Sequence, residues 1–214
     1  MPPTLVCFAV KEEATPFQKL AAGRTDISVL MTGMGRANAE RAVRAALEDI
    51  RPSALITAGF AGGLRPGLSL GTVLVGDDSD PGLTQRLIAA GARKATIFCS
   101  ERVASTAAQK HQLHQQTGAD AVEMESGSIC ALCRSAGIPS ATVRVVLDTA
   151  EEDLPLDFNA LMTPEQKLSA GKLALALAKS PGKIGGLLRL QKQSAESAQK
   201  LAAVLGRALS LGVI

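Results

Sequence analysis

Aromatic side chains are scarce in this chain of 214 residues: they make up only 2% of it, and there is no tryptophan or tyrosine. Hydrophobic residues nevertheless account for 46%, so the core must be built from alanine, leucine, valine and isoleucine. Such aliphatic cores are typical of helices packed closely on a parallel sheet. The composition therefore favours an α/β fold, and the length suits one domain better than two independent ones.

The sequence also lacks long apolar runs and blocks of like charge. No stretch of about 18 apolar residues could cross a membrane, and no basic segment with an apolar run and cleavage site opens the chain. The formal net charge is +3, with lysines and arginines spread along the sequence, which is not the pattern of a nucleic-acid-binding protein. We expect a cytoplasmic protein without a nucleic-acid partner.

Cysteines and histidines are few, and neither type forms a convincing site. Four cysteines lie in apolar or helical segments, which suits buried reduced thiols better than disulfides or a redox pair; they are Cys7, Cys99, Cys130 and Cys133. His111 and His114 share a helical face, but zinc needs a further protein ligand that nothing nearby supplies. We predict no metal.

The pattern of apolar and polar residues alternates between strands and helices. It predicts strands over 4–10, 26–32, 53–58, 71–75, 95–100 and 141–148. Helices are predicted from residue 11 and over 37–50, 83–90, 106–117, 127–136, 164–179 and 183–211. We divide the chain into a catalytic part, residues 1–180, and a C-terminal helical extension, residues 181–214.

Glycines follow two of the predicted strands. Gly59-Phe60-Ala61-Gly62-Gly63 directly follows an apolar strand, which indicates a backbone that passes close to another group. Gly33-Met34-Gly35 precedes a helix whose first amides could bind an anion. A nicotinamide cofactor would need a third glycine and a ribose-binding acid about 20 residues on, and both are absent. We predict no cofactor.

Acidic residues lie near the ends of two predicted strands and on one short apolar segment. Glu13 lies in the first turn of a helix, where complementing the helix dipole is an equally good explanation. Glu123 and Glu125 belong to the segment Ala121–Ser126, and Asp148 ends a β-branched run. Parallel sheets present ligand-binding residues at the carboxyl ends of their strands, so this arrangement predicts an active site.

With these segments in order, the chain resembles the nucleoside phosphorylase and nucleosidase superfamily, which includes methylthioadenosine and S-adenosylhomocysteine nucleosidases. The resemblance runs from Leu5 to about Ala150. It is strongest in Gly59–Leu64 with Gly71–Val75, in Ala121–Ser126 and in Val143–Asp148. Residues 107–118, Leu154-Pro155 and the long tail look most like the hopanoid-associated branch, thought to release adenine from an adenosylated hopane lipid.

The resemblance implies one three-layer α/β domain with a mostly parallel, partly closed central sheet, usually in a homo-oligomer. It implies cleavage of an N-glycosidic bond, in which Asp148 protonates the purine, Glu13 positions the attacking water and Glu125 binds the ribose hydroxyls. The other substrate contacts that it implies are Met124, Glu123, Phe60, Gly59, Ala61 and Val103. For a phosphate nucleophile the candidates are Gly35 and Arg36.

The residue chemistry is consistent with those roles. Loss of a purine leaves an oxocarbenium-like ribosyl cation, which the carboxylate of Glu125 can stabilise while it holds the sugar. The leaving base must gain a proton, and a desolvated carboxyl at Asp148, beside Val146 and Leu147, can have the raised pKa needed to supply one.

Several positions depart from the family pattern. Phe60 stands where nucleosidases often carry a hydroxyl residue, and Leu147 replaces the usual Ser or Thr before the catalytic Asp. The segment 76–83 is shorter than in nucleosidases. No arginine follows the first strand as in phosphorylases, which leaves Arg36 and Arg65 as the remaining candidates for phosphate ligands. A non-catalytic nucleoside-binding or scaffold protein therefore remains the competing hypothesis.

The C-terminal segment 183–211 has leucines at helical spacing together with five basic residues, namely Lys183, Arg189, Lys192, Lys200 and Arg207. Three interpretations stay open: a helix that covers the sheet, a partner interface, or a helix at an anionic membrane surface that receives a lipid substrate.

Overall fold

The computed structural model describes residues 2–210. Strands and helices alternate along most of this chain, as the hydrophobic pattern predicts. The strands are β1 (Thr4–Phe8), β2 (Ile27–Met31), β3 (Ala54–Gly63), β4 (Val73–Gly76), β5 (Arg93–Ala95), β6 (Ile97–Cys99), β7 (Ala121–Glu123) and β8 (Ser140–Asp148). The α-helices are α1 (Lys11–Leu20), α2 (Arg36–Asp49), α3 (Pro81–Ala89), α4 (Ala107–Thr117), α5 (Ser126–Ala136), α6 (Phe158–Leu161), α7 (Ala170–Lys179) and α8 (Ile184–Ala208). A 3₁₀ turn, Pro181–Lys183, joins α7 to α8.

The strands form one mixed, mostly parallel sheet in the order β2-β1-β3-β8-β4-β5. Strand β4 runs antiparallel to β8, and the carboxyl end of β3 pairs antiparallel with β7, which carries β6 beside it. The other pairs are parallel. The carboxyl ends of β1, β3 and β8 therefore meet at one edge of the sheet.

Helices cover both faces of this sheet, which confirms the predicted single α/β domain. On one face, α1, α3 and α8 enclose the main core, in which Phe17, Leu87 and Leu201 are buried. On the other face, α2 and α5 pack on β1 and β3 through Val43 and Ile129.

The sequence pattern predicts that the strand ends at residue 58, before the glycine-rich segment, but in the structure the strand continues through that segment. Strand β3 continues to Gly63, because its second half pairs with both β7 and β8. The expected close approach is present: a Cβ atom on Gly59 would lie 2.6 Å from Glu13 Oε1. Only glycine leaves room for that carboxylate against the strand.

Two other element boundaries differ from the prediction. The predicted strand 95–100 is split into β5 and β6, which pair with different strands. The predicted helix 164–179 starts only at Ala170, because residues 162–168 fold back through an isolated bridge between Met162 and Leu168. Gln166 in this turn has a φ of 57°, which a helix does not accommodate.

Helix α8 serves two different parts of the molecule. Its second half lies in the main core, with Ala198, Leu201 and Leu205 fully buried, and its end is fixed where Arg207 donates two hydrogen bonds to the carbonyl of Ala90. Its first half is largely exposed, with Leu188 62% accessible. Covering the sheet, the first of the three interpretations of this segment, therefore holds for the second half. Within residues 2–210, no helix is long and apolar enough to cross a membrane.

Candidate active site

A cavity of about 330 Å³ opens where the carboxyl ends of β1, β3 and β8 meet β7. Five acidic side chains line it: Glu12 and Glu13 come from α1, Glu123 and Glu125 from the end of β7, and Asp148 from the last position of β8. The volume is within the usual range for small-molecule sites. The acids that follow separate strands in the sequence are thus brought together in space.

Glu13 is 5% exposed and is held by the backbone. Its Oε2 accepts hydrogen bonds from the amides of Ala9 and Val10 at 3.0 and 3.1 Å, and its Oε1 accepts one from Phe60 at 2.8 Å. Burial raises the pKa of this carboxyl, although the three amides and the nearby Arg144 partly offset the effect. These contacts hold Glu13 in one orientation at the cavity wall. Its position in the first turn of α1 would by itself suggest only an interaction with the helix dipole.

Arg144 organises the centre of the acidic cluster. It projects from β8, is fully buried in the protein, and pairs with Glu123 at 2.5 Å. Glu123 also accepts hydrogen bonds from the amides of Glu125 and Ser126 and from the Ser126 hydroxyl. Burial opposes the ionisation of Glu123, but Arg144 and these bonds outweigh it and lower its pKa to about 2. Because its oxygens are occupied in this way, Glu123 fixes the turn after β7 rather than offering a free carboxylate to a ligand.

Glu125 lies at the N-cap position of α5, with one oxygen bound and the other available. Its Oε1 accepts a hydrogen bond of 2.6 Å from the amide of Gly35, which has a φ of 82°. Burial raises the pKa of Glu125 to about 7; Arg144 opposes this and Glu123 adds to it. A carboxylate in this condition binds hydroxyl donors and responds to cationic charge that develops nearby.

Asp148 ends β8 and lines the other side of the cavity. It is 8% exposed and forms an ion pair with Lys110, a lysine of α4 that is fully buried. Burial raises the pKa of the Asp148 carboxyl, and the contact with Lys110 offsets part of that increase. A carboxyl that holds its proton near neutral pH can act as a general acid.

The remaining walls are mostly apolar. Phe60, Ala61, Met124 and Leu147 line the cavity, so the two departures from the nucleosidase pattern, Phe60 and Leu147, both make the site less polar. Val103 lines it as well and is held by a reciprocal pair of hydrogen bonds, in which its amide donates to Asn159 at 2.9 Å and its carbonyl accepts from Asn159 at 2.8 Å.

Other predicted contacts lie outside the cavity. Gly59 accommodates Glu13 behind the wall, and the amide of Gly35 is taken by Glu125. Arg36 is exposed at the start of α2, and Arg65 pairs with Asp120 at 3.1 Å. Among the described residues that line the cavity, the one cationic side chain is that of Arg102.

A second cavity of about 660 Å³ adjoins the first. The two share the lining residues Glu12, Phe158, Leu190 and Ser194. From there the second cavity extends as an apolar groove between α1, α7 and α8, lined by residues that include Pro16, Leu168, Leu173 and Leu187.

Sequence reasoning missed several residues that shape the site. Arg144 stands in a run of β-branched residues, and a charge in a buried strand signals an internal partner. Lys110 has no comparable signal, because α4 has no apolar stripe that would mark a buried face. Phe158 and Leu190 are distant in sequence and reach the cavity only through the fold.

No group of metal-binding side chains occurs within residues 2–210. The Nδ1 atom of His114 lies 2.7 Å from the carbonyl oxygen of Ala119, and His111 is exposed. The four cysteines are free thiols in the structure, and burial raises the pKa of Cys99 and Cys133 to about 12. Buried thiols of this kind are poor nucleophiles.

Comparisons with known proteins agree with the geometry. A family model described as "Phosphorylase superfamily" matches residues 6–94 and 78–179. A futalosine hydrolase mutant from Helicobacter pylori superposes with a TM-score of 0.72 at 16% identity, covering 98% of this chain and 99% of that chain. The 5′-methylthioadenosine/S-adenosyl homocysteine nucleosidase of Campylobacter jejuni superposes with a TM-score of 0.72 at 16% identity, and the match covers 98% of this chain and 99% of that chain.

The corresponding nucleosidase from Neisseria meningitidis, solved in complex with methylthio-immucillin-A, superposes with a TM-score of 0.68 at 18% identity. That match covers 96% of this chain and 99% of the neighbour. At such low identity these matches show a shared fold over nearly the whole chain.

Proposed function

Because this chain belongs to the phosphorylase superfamily, we propose that it cleaves the N-glycosidic bond of a purine nucleoside. The observation that carries the proposal is the convergence of Glu13, Glu125 and Asp148 on one cavity. Each has a distinct environment. Glu13 accepts hydrogen bonds from backbone amides, Glu125 has one of its two oxygens bound by an amide, and Asp148 is paired with a lysine. Carboxyls in contrasting environments can take different steps of one reaction.

Asp148 serves as the general acid. Cleavage of the C1′–N9 bond leaves electrons on the purine, and protonation at N7 makes the base a better leaving group. Burial raises the pKa of the Asp148 carboxyl and so shifts it toward its protonated form, while Lys110 offsets part of the increase. Leu147, where the family usually has Ser or Thr, does not remove this role, because Lys110 contacts the carboxyl instead.

Glu125 binds the sugar and stabilises the charge that develops on it. As the glycosidic bond breaks, the ribosyl ring becomes oxocarbenium-like, and a carboxylate that accepts bonds from its hydroxyls is favoured most in the transition state. The amide of Gly35 fixes one oxygen of Glu125 and leaves the other for the substrate. Met124, beside it in the cavity wall, supplies apolar contact to the ring.

Water is the proposed nucleophile, positioned by Glu13. A phosphate dianion would enter a cavity lined by five carboxyls, and like charges repel strongly where solvent is excluded. The two arginines considered as phosphate ligands do not line it, since Arg36 is exposed and Arg65 is paired with Asp120. Hydrolysis is therefore expected to exceed phosphorolysis.

The substrate is proposed to carry a large apolar group at its 5′ position. The apolar groove adjoins the catalytic cavity through Phe158 and Leu190 and is larger than a methylthio group requires. An adenosylated lipid of the adenosylhopane type, the substrate suggested by the resemblance to the hopanoid-associated branch, fits this description. Such a tail gains about 25 cal/mol for each Å² of apolar surface that it buries.

An anionic membrane is the proposed source of such a substrate. Near the groove, Leu175, Ile184 and Leu188 expose 57%, 46% and 62% of their surfaces. Residues 170–195 contain no acidic residue and carry basic ones throughout, namely Lys172, Lys179, Lys183, Arg189 and Lys192. Exposed apolar side chains on a segment whose charged residues are all basic are typical of surfaces that bind anionic lipid.

Two further expectations about the whole protein stay predictions. Assembly into a homo-oligomer follows from the family resemblance, and size-exclusion chromatography with light scattering tests it. A cytoplasmic location follows from the sequence and can be tested by cell fractionation.

The competing hypothesis is a non-catalytic nucleoside-binding protein. A scaffold gains nothing from burying three carboxyls with raised pKa values in one cavity, since each costs stability when it ionises. The cluster is better explained by catalysis.

Release of free base is the direct experiment. The protein is incubated with methylthioadenosine, adenosine, inosine and a 5′-alkylthioadenosine of long chain, with and without phosphate. We expect base release without phosphate, and the highest kcat/KM for the long-chain substrate. Tight binding of all four without turnover would favour the scaffold instead.

A further inference from the structure

Lys110 is the only buried residue of α4, a helix whose other side chains are partly or fully exposed. Its ammonium group donates hydrogen bonds of 2.7 Å to the carbonyls of Thr149 and Glu152, and it pairs with Asp148. A lysine ammonium has three N–H donors. Two are taken by carbonyls that can only accept, and this fixed framework holds the ammonium group against the Asp148 carboxyl, with which it forms the ion pair.

That framework joins α4 to the loop after β8 by several other contacts. The amide of Ala107 donates to Asp153 at 2.7 Å, and the amide of Leu154 donates to the carbonyl of Ser105 at 2.8 Å. Thr106 caps the helix with Gln109 in a reciprocal pair. The position of the lysine is thus set before any substrate binds.

We propose that Lys110 is a positioning residue for the reaction assigned above, which holds Asp148 and stabilises the negative charge that forms on it during purine release. The inference depends on the proposed function, because it needs Asp148 to act as an acid. In the step, the Asp148 O–H bond breaks and the purine N7–H bond forms. The C1′–N9 electron pair passes to the base, and the carboxylate charge is left beside the ammonium.

The physical basis is differential stabilisation. In the protonated form that donates to the purine, the Asp148 carboxyl is neutral and gains little from a neighbouring cation, whereas after transfer it is a buried anion with that cation already in place. The charged groups that face Asp148 are Lys110, from α4, and Glu152, from its own loop. Glu152 acts in the opposite direction and is itself held by the amide of Thr149 at 2.9 Å.

The test compares Lys110→Gln, which keeps donors but loses the charge, with Lys110→Arg, which keeps both. The substrates are methylthioadenosine, whose base must be protonated, and 4-nitrophenyl riboside, whose leaving group needs no proton. In Lys110→Gln we expect kcat/KM for methylthioadenosine to fall by about 100-fold, the size of effect seen when one preorganised electrostatic contact is lost. The nitrophenyl rate should change less than about threefold, and Lys110→Arg should retain most activity on both.

The pH profile gives a second readout that a purely structural role would not alter. Without the cation, the pKa of Asp148 rises further, so the alkaline limb of kcat/KM for methylthioadenosine moves to higher pH. In Lys110→Arg it stays in place, because the charge persists at every pH. The inference about Lys110 would be overturned if Lys110→Gln lost kcat/KM equally on both substrates and the alkaline limb of its pH profile did not move.

Folding and function can be separated in this design. If thermal unfolding shows that Lys110→Gln does not fold, Lys110→Arg alone decides. The proposal is then overturned if the alkaline limb of Lys110→Arg is displaced, or if its kcat/KM for methylthioadenosine falls relative to that for 4-nitrophenyl riboside. If the wild-type protein releases no base from any nucleoside, the proposed function fails first, whatever the variants do.

Discussion

At the scale of single residues, the environment of each carboxyl decides what it can do. Glu123 and Glu125 are two positions apart in sequence, yet Arg144 and Ser126 lower the pKa of Glu123 to about 2, whereas burial raises that of Glu125 to about 7. The first is a permanent anion tied to the scaffold. The second is available to the substrate, and its charge changes with pH.

Asp148→Asn is expected to abolish purine release while the protein stays folded. The amide is nearly isosteric but has no proton of suitable acidity to give, and general-acid catalysis contributes about 10²- to 10⁴-fold. The measurement is kcat for release of adenine from methylthioadenosine. Asp49→Asn, at an exposed position near the end of α2, is the matched control and should keep full activity. Full activity in Asp148→Asn would contradict the assignment.

The pH dependence should identify Glu125. Its carboxylate is the form that stabilises the ribosyl cation, so kcat/KM should decline as pH falls through about 7, where the group gains a proton. Because the pKa is raised, this loss begins nearer to neutral pH than for an ordinary glutamate. In Glu125→Gln the rate should be much lower and this acid limb should be absent. A limb that persists unchanged would belong to another group.

How much of the site was predictable is also clear at this scale. Glu13, Glu125 and Asp148 could be selected because they follow strands, and such positions meet at one sheet edge. Glu125 and Gly35 could not be paired from sequence, since 90 positions separate them. Lys110 could not be found at all, because its burial depends on the loop that folds over it.

At the scale of elements, the periodicity of apolar residues and the positions of glycines predicted most strands and helices. The predictions were wrong where pairing between strands, or a turn of the chain, overrides the local sequence pattern. The glycines after Ala58 suggest a turn locally, yet β3 runs through them because β7 and β8 supply partners. In the segment 164–169, helical periodicity was misleading, since the chain turns back at Gln166 before α7 begins.

Helix α8 connects the groove to the catalytic cavity, and Leu190 lines both. We expect Leu190→Gln to raise KM for a long-chain 5′-alkylthioadenosine by about tenfold, the size expected when one aliphatic contact is lost. KM for methylthioadenosine should change much less, because its short substituent does not reach the groove. Steady-state kinetics with the two substrates measures this difference.

Leu188→Gln is the matched control for that experiment. It lies on the same helix and has the same side chain, but it is 62% exposed and lines neither cavity. Its kinetics should be unchanged with both substrates. If both variants lose the long-chain substrate equally, the groove is not the tail-binding site.

At the scale of the whole molecule, the two ends of the proposed substrate meet opposite chemistry. The catalytic cavity is acidic and fixed by backbone hydrogen bonds, whereas the groove leads to a surface that is apolar and basic. The same helix, α8, has its second half in the core and its first half at this surface. Removing the tail from residue 181 would therefore unfold the domain, and membrane contact has to be tested by surface substitutions.

Replacing Leu175, Ile184 and Leu188 together by serine should weaken binding to anionic vesicles. These side chains are exposed, so the thermal unfolding temperature should change little, while the apolar contact with lipid is lost. Flotation with phosphatidylglycerol-containing vesicles, against pure phosphatidylcholine, measures the binding and its dependence on lipid charge. The matched control replaces Leu20, Met31 and Ile88, which are exposed by 38%, 36% and 45% on other elements. If the two triple variants and the wild type float equally, this surface does not bind membranes, and the substrate must reach the groove from solution.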